Sequence, residues 1–263
     1  MLLRNMARIF APSLHDKWQV KMRKTLAESL TRNEKVVVPE KKEKCIICHD
    51  EEVAIKWSKV VNVHDNNALK SERGNYSRRR SGTKPKMIVT HWDVTKSAES
   101  CCKVLNRVGL SSHFVIDNDG TIFQMLDTKH KAWHAGKVNK FSIGIDISNA
   151  YYLKHQDWYI KNGFGPRPIM SDCYIHGKKL KPFLGFFPIQ IQAYKELLKA
   201  LMNAYSIKND YPTEDGNLIK TVYKPAVKGD FSGFVAHYHV SKNKKDVAGL
   251  DFSRIWSEIE EYY

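Results

Sequence analysis

From Lys86 onward the apolar and polar positions alternate in patterns that predict regular elements. "KMIVTHW" is a short apolar run rich in β-formers and reads as a buried strand. "SAESCCKVLNRVGL" follows with helical spacing and a stop at Gly109. "HFVIDNDGTIFQM" gives two strands about an Asn-Asp-Gly turn, and "FSIGIDIS" gives a further strand. "FPIQIQAYKELLKALMNAY" is a long amphipathic helix, "GFVAHYHV" a last strand and "LDFSRIWSEIEEYY" a closing helix. Strands interleaved with helices predict an α/β fold, a central sheet flanked by helices, and the hairpin makes that sheet mixed. Between Asn149 and Phe187 runs a long stretch rich in Gly, Pro and aromatic residues, a length that usually marks a functional loop. Its Tyr151, Tyr152, Trp158, Tyr159 and Phe164 are expected to wall a groove.

Upstream the patterning is weaker. Residues 1–84 carry a net charge of +9 and end in the basic, turn-rich "SERGNYSRRRSGTKPK", which reads as a linker. Within them "HDKWQVKMRKTLAESLTR" has helical spacing, and "EEVAIKWSKVVNVHD" suits either strand or helix. The expected division is therefore a basic N-terminal extension over 1–84, a docking segment that orders on a partner, and a domain over 85–263.

No window holds eighteen consecutive apolar residues, so no membrane span is expected. The start, "MLLRNMARIFAPSLHDKW", breaks its apolar residues before a signal-type core develops. Five cysteines, an odd number with one adjacent pair, suit a reduced compartment, and synthesis in a cytoplasm is the expectation. A formal charge of +15 favours anionic partners: nucleic acid, acidic lipid or an anionic wall polymer. The sequence offers no recognition helix or stacking platform, which disfavours nucleic acid.

Three residues suggest chemistry. His91 sits where a buried strand ends, His237 lies in another predicted strand, and Asp246 follows in a lysine-rich loop. Two imidazoles and one carboxylate, with a fourth position open to water, make a catalytic zinc site. Eleven histidines offer many such triples, so spacing alone does not choose this one. "CIICH" at residues 45–49 raises a second possibility, a small zinc knuckle from Cys45, Cys48, His49 and His64. Cys101 and Cys102 fall on a predicted helix, where burial is expected.

"IVTHW", "SSHFVIDNDGTIFQM", "AWHAG", "SIGIDISN" and "AHYHV" occur in that order, followed by lysine, one spacer and Asp246. Together they resemble the N-acetylmuramoyl-L-alanine amidase family of zinc hydrolases, whose fold is shared by peptidoglycan recognition proteins and amidase-type phage lysozymes. The resemblance covers about residues 86–256. It implies one zinc ion held by His91, His237 and Asp246, with His239 the competitor for the second place and Asp251 for the third. Asp251 is also the better N-cap for the closing helix.

The resemblance further implies Asp146 as general base, where relatives commonly carry glutamate, one methylene longer. Ser112 stands where some relatives have tyrosine. Lys244, with Lys242 and Lys245 as neighbours, would stabilise the oxyanion, and His134 and Trp133 would contact substrate. The implied activity is cleavage of the amide between N-acetylmuramic acid and L-alanine in peptidoglycan. The expected setting is a phage lytic protein, released through a holin or carried in the virion with residues 1–84 docked to a tail or baseplate protein. Two alternatives are a peptidoglycan-binding module without turnover, in which Asp146 is too short, and a nucleic-acid-binding or polymerase-regulating protein.

Overall fold

The computed structural model describes residues 43–260, which lie within a single compact unit. The helix expected from "HDKWQVKMRKTLAESLTR" lies outside the described residues, as do the last three residues of the expected closing helix. The chain opens with a hairpin of β1 (Cys45–Cys48) and β2 (Glu51–Ala54), then β3 (Val60–Val61) and β4 (Tyr76–Arg78). β5 (Met87–Trp92), α1 (Ala98–Arg107), β6 (Phe114–Ile116), β7 (Ile122–Gln124), β8 (His130–Ala132) and β9 (Ser142–Ile147) follow. The long loop holds α2 (Gln156–Lys161) and four two-residue strands, β10 (Ile169–Met170), β11 (Tyr174–Ile175), β12 (Lys178–Lys179) and β13 (Phe183–Leu184). After α3 (Pro188–Tyr205) come β14 (Thr213–Glu214), β15 (Asn217–Leu218) and α4 (Lys224–Lys228). The chain then runs through β16 (Gly233–Ala236), α5 (His237–Val240) and α6 (Phe252–Glu260).

Six strands form the central sheet in the order β16-β5-β9-β6-β7-β3. β16, β5, β9 and β6 run parallel, and the β6–β7 hairpin reverses direction, so the sheet is mixed, as the turn at Asn118–Gly120 predicts. Strands buried on both faces read as continuous apolar runs, which is why β5 and β9 are legible in sequence. One face, with Ile88, Ile143, Ile145 and Phe234, packs on Tyr194, Leu197 and Leu201 of α3 and on Phe252, Ile255 and Ile259 of α6. The opposite face carries Met87 and Val89 against Phe141 and Phe231, and Val115 against Ala98 and Cys101 of α1. Ser97 caps α1 by accepting the Ser100 N–H, and Gly109, at φ +73°, follows its end.

The expected boundary at residue 84 is corrected. β3 is the edge strand of the central sheet beside β7, and β4, inside the presumed linker, pairs with β8. Arg79, the middle residue of the "RRR" run, is buried and donates to the carbonyls of Thr128, Asn139, Lys140 and Ser142. Charge density suggested solvent, but one of these arginines is interior and satisfies backbone carbonyls there. The docking role expected of 1–84 therefore bears only on residues 1–42, outside the described residues. Among the described residues no helix is long and apolar enough to cross a membrane.

Candidate metal centre

Register builds this site before any side chain is considered. Parallel pairing sets Val89 beside Gly144, His91 beside Asp146 and Ala236 beside Thr90. His91 and Asp146 therefore share the α1 face of the sheet, at the carboxyl ends of neighbouring strands. One step past Ala236, the same register brings His237 alongside His91. The chain turns there into α5, and the loop after it returns Asp246, whose carbonyl accepts the Tyr238 N–H at 2.9 Å. Carboxyl ends of parallel strands are where α/β sheets present functional groups.

Three atoms converge. His91 Nδ1 lies 3.0 Å from His237 Nδ1 and 3.2 Å from Asp246 Oδ2, and His237 Nδ1 lies 2.9 Å from the same oxygen. All three residues are buried, and among the described residues this is the one such group with donors close enough to hold a metal ion. Burial by itself would raise the Asp246 carboxyl, but its bonds to His237 and His91 outweigh it and hold it well below the usual carboxylate range. Tetrahedral zinc with ligands at ~2.0–2.2 Å would set its donors ~3.3–3.6 Å apart. The observed triangle is that one drawn slightly tighter, and two imidazoles with one carboxylate suit a zinc ion that keeps a fourth position open.

His239 is excluded as a ligand. The expected strand becomes a helical turn, which swings this ring away from the site. Its Nδ1 accepts the Ala236 N–H at 3.0 Å and its Nε2 donates to the Ile219 carbonyl at 2.6 Å, while burial pushes its pKa down to about 3. Asp251 accepts the Arg254 N–H at 3.1 Å and serves the closing helix.

Asp146 is buried on the face shared with His91, and burial pushes its carboxyl up to about 6 against the pull of His91. The Ser112 hydroxyl donates to the Phe114 carbonyl at 3.3 Å. Lys244 is exposed, with its backbone N–H donating to Ser241 and its carbonyl accepting from His176 Nε2 at 3.0 Å. Lys245 lies instead over the Tyr151 ring, 4.7 Å from its centre.

His134, expected to contact substrate, reaches His91: its Nδ1 lies 2.9 Å from His91 Nε2. Trp133 is half-buried, with its indole N–H 3.4 Å from Ser77 Oγ. The knuckle does not assemble. Cys48 is buried, its thiol pushed up to about 11 by burial, and His64 is exposed. The hairpin turn is held by Asp127, whose carboxylate accepts the N–H groups of His49 and Asp50.

The long loop is largely packing rather than groove wall. Tyr151 is buried and stacks on Trp92 at 4.6 Å, with the exposed Tyr152 stacked outside it at 4.3 Å. Arg167 lies between Tyr159 and Phe187, 4.2 Å from each ring centre, and donates to Ser148 O, Gly185 O, Asn118 Oδ1 and Gln190 Oε1. Sequence reasoning missed Arg167 and Arg79. A lone arginine in a polar stretch carries no signal of burial.

The fold and site together define an α/β protein with a buried His-His-Asp cluster, able to hold a metal ion, at the carboxyl edge of a mixed sheet. The chain belongs to the N-acetylmuramoyl-L-alanine amidase family, whose family model matches residues 81–249. A Rickettsia conorii protein assigned by description to the same amidases is 33% identical over 102 residues, 35% of this chain, and the chain spans 38% of that relative's length. Among solved structures, Escherichia coli AmiD in complex with anhydro-N-acetylmuramic acid-L-Ala-D-gamma-Glu-L-Lys is 25% identical, covering 50% of this chain and 49% of its own, with a TM-score of 0.34. Staphylococcus aureus AmiA in complex with its ligand is 15% identical, covering 91% and 90%, with a TM-score of 0.47. The endolysin of the Thermus scotoductus bacteriophage Ph2119 is 16% identical, covering 72% and 92%, with a TM-score of 0.40.

Proposed function

We propose that this protein is a zinc-dependent N-acetylmuramoyl-L-alanine amidase that hydrolyses the amide between N-acetylmuramic acid and L-alanine in peptidoglycan. The observation that carries the reading is the convergence of His91 Nδ1, His237 Nδ1 and Asp246 Oδ2 beside Asp146, inside the segment that matches the family. Zinc, when held by those three residues, supplies Lewis acidity for the amide carbonyl and lowers the pKa of water toward neutrality.

The chain's own groups do the rest. Asp146, with its carboxyl near 6, is ionised at neutral pH yet basic enough to take a proton from the attacking water and pass it to the departing amine. Lys244 lies on the loop that carries Asp246, and its ammonium, if turned toward the site, would stabilise the oxyanion developing at the carbonyl. The overall charge of +15 suits an anionic wall polymer.

The test is release of stem peptide from purified peptidoglycan, read by mass spectrometry, for zinc-loaded wild type beside His91→Ala and Asp146→Ala. Cleavage at the muramoyl–alanine bond that both substitutions abolish is the expected result. No product from folded, zinc-loaded wild type on walls from several hosts would turn the reading to a binding module. A finer reading, a phage lytic or virion-borne enzyme docked through residues 1–42, is supported by sequence alone. Virion incorporation that survives deletion of 1–42 would end the docking part of it.

A further inference from the structure

The two imidazoles of the centre have second nitrogens, and His91 shows what holds one of them. Its Nε2 lies 2.9 Å from His134 Nδ1, and His134 Nε2 lies 3.2 Å from Ser142 Oγ. Only one proton assignment serves every contact when His91 Nδ1 is to act as a ligand. His91 must carry its proton on Nε2 and donate to His134 Nδ1, and His134 must then carry its proton on Nε2 and donate to Ser142. We infer that His134 is a positioning residue of the metal centre, fixing the tautomer and ring plane of His91 so that Nδ1 faces the point it shares with His237 and Asp246. This rests on the zinc reading above and replaces the substrate contact expected of His134.

The surroundings are built to hold that ring still. Gly144 lies against it: a Cβ there would come within 2.8 Å of the His134 ring, so only glycine leaves the space. Asn139 Oδ1 accepts the backbone N–H groups of His134 and Ala135 at 3.3 and 2.7 Å, which fixes the segment carrying the ring. Behind Ser142, the buried Arg79 donates to its carbonyl at 2.6 Å. Arg79 precedes the family-matched residues 81–249, so part of the backing comes from the segment ahead of them. A ligand imidazole anchored through its far nitrogen binds metal more tightly, and losing such an anchor typically costs 10- to 100-fold in affinity.

The experiment is a zinc dissociation constant, measured by competition with a chromophoric chelator and without substrate, for wild type, His134→Ala, His134→Asn and Ser142→Ala. Asparagine can place its amide oxygen where Nδ1 accepts. The expected result is a loss of about 10- to 100-fold for His134→Ala, recovery to within about threefold for His134→Asn, and a loss of a few-fold for Ser142→Ala. Near-ultraviolet circular dichroism confirms that each variant is folded, and the asparagine variant carries the test if the alanine variant is not. Zinc affinity equal to wild type in His134→Ala or, where that variant does not fold, a folded His134→Asn weakened tenfold or more would overturn the inference. A KM for muramyl peptide that rises while zinc affinity stays constant would return His134 to substrate contact. Wild type that takes up no zinc would overturn the metal reading itself, a result separate from these.

Discussion

The metal centre and the long loop each bury polar side chains, and they do so in opposite ways. In the loop, Arg167 is a single cation surrounded by acceptors, its guanidinium donating to two carbonyls and two amide oxygens between two aromatic rings. That arrangement gives both terminal nitrogens of the guanidinium their acceptors, leaves only its buried Nε–H without one, and serves packing. At the carboxyl ends of β5 and β16, three atoms able to donate lone pairs face one another within 3.2 Å. That arrangement suits a cation shared by all three atoms, as the proposed zinc site requires. Burial of a polar group is therefore not the signal of function; convergence of like acceptors is.

The sharpest way to break this comparison is to remove one member of each. His91→Ala is expected to lower turnover on peptidoglycan by at least about a thousandfold, because the Lewis acid is lost. Its melting temperature without zinc should stay near that of zinc-free wild type. Arg167→Met should do the reverse, costing about 3–5 kcal/mol in urea unfolding by stranding buried acceptors. Its turnover per folded, zinc-loaded molecule should stay within a few-fold of wild type. A dead but stable Arg167→Met, or an active His91→Ala, would dissolve the distinction.

Asp146→Asn comes next, with kcat expected to fall about 10²- to 10⁴-fold while bound zinc, measured by atomic absorption, stays at one per chain. Because burial raises the Asp146 carboxyl to about 6, the base is protonated below that pH and ionised above it. A zinc ion beside it would pull the carboxyl back down, so the wild-type rate should rise with pH through a limb at or below about 6 and level off above, to be read from kcat/KM profiles.

Gly144→Ala tests the backing of the site. A Cβ 2.8 Å from the His134 ring should cost about 1–3 kcal/mol and weaken zinc binding, both measurable on the purified variant.

The effect furthest from catalysis concerns His113, a buried neutral histidine away from the proposed ligands. Its Nδ1 accepts the Gly144 N–H at 3.0 Å, and burial followed by the nearby Arg79 pushes its pKa down to about 3. Its unfolded pKa is about 6.5, so the unfolded chain binds the proton first. The stability tied to this ring is present above about pH 6.5 and is lost as pH falls from there toward 3, at about 1.4 kcal/mol per pH unit. In urea unfolding between pH 6.5 and 4, His113→Gln should fall less steeply than wild type by about that slope.

The two regions also differ in how far the sequence disclosed them. β5, β9, α1, the β6–β7 hairpin and α3 were legible because local periodicity and burial agree there. The residues His91, His237 and Asp246, which the structure brings together, were singled out through the family resemblance carried by the order of motifs around them. Period-2 reasoning failed at His239, because the strand ends at Ala236 and a helical turn begins. Residues 43–84 were read as an extension because β3 and β4 have only two and three residues, too short for any periodic signal.

The sequence by itself determined which strands are buried and where the hairpin turns, since these follow from neighbours a few positions apart. Only the tertiary structure decided that His134 faces His91, that Arg79 and Arg167 are interior, and that β3 completes the sheet. Each of those contacts joins segments roughly 20 to 60 residues apart. Their partners are backbone carbonyls and ring nitrogens, which the sequence supplies everywhere and which only the fold brings to one place.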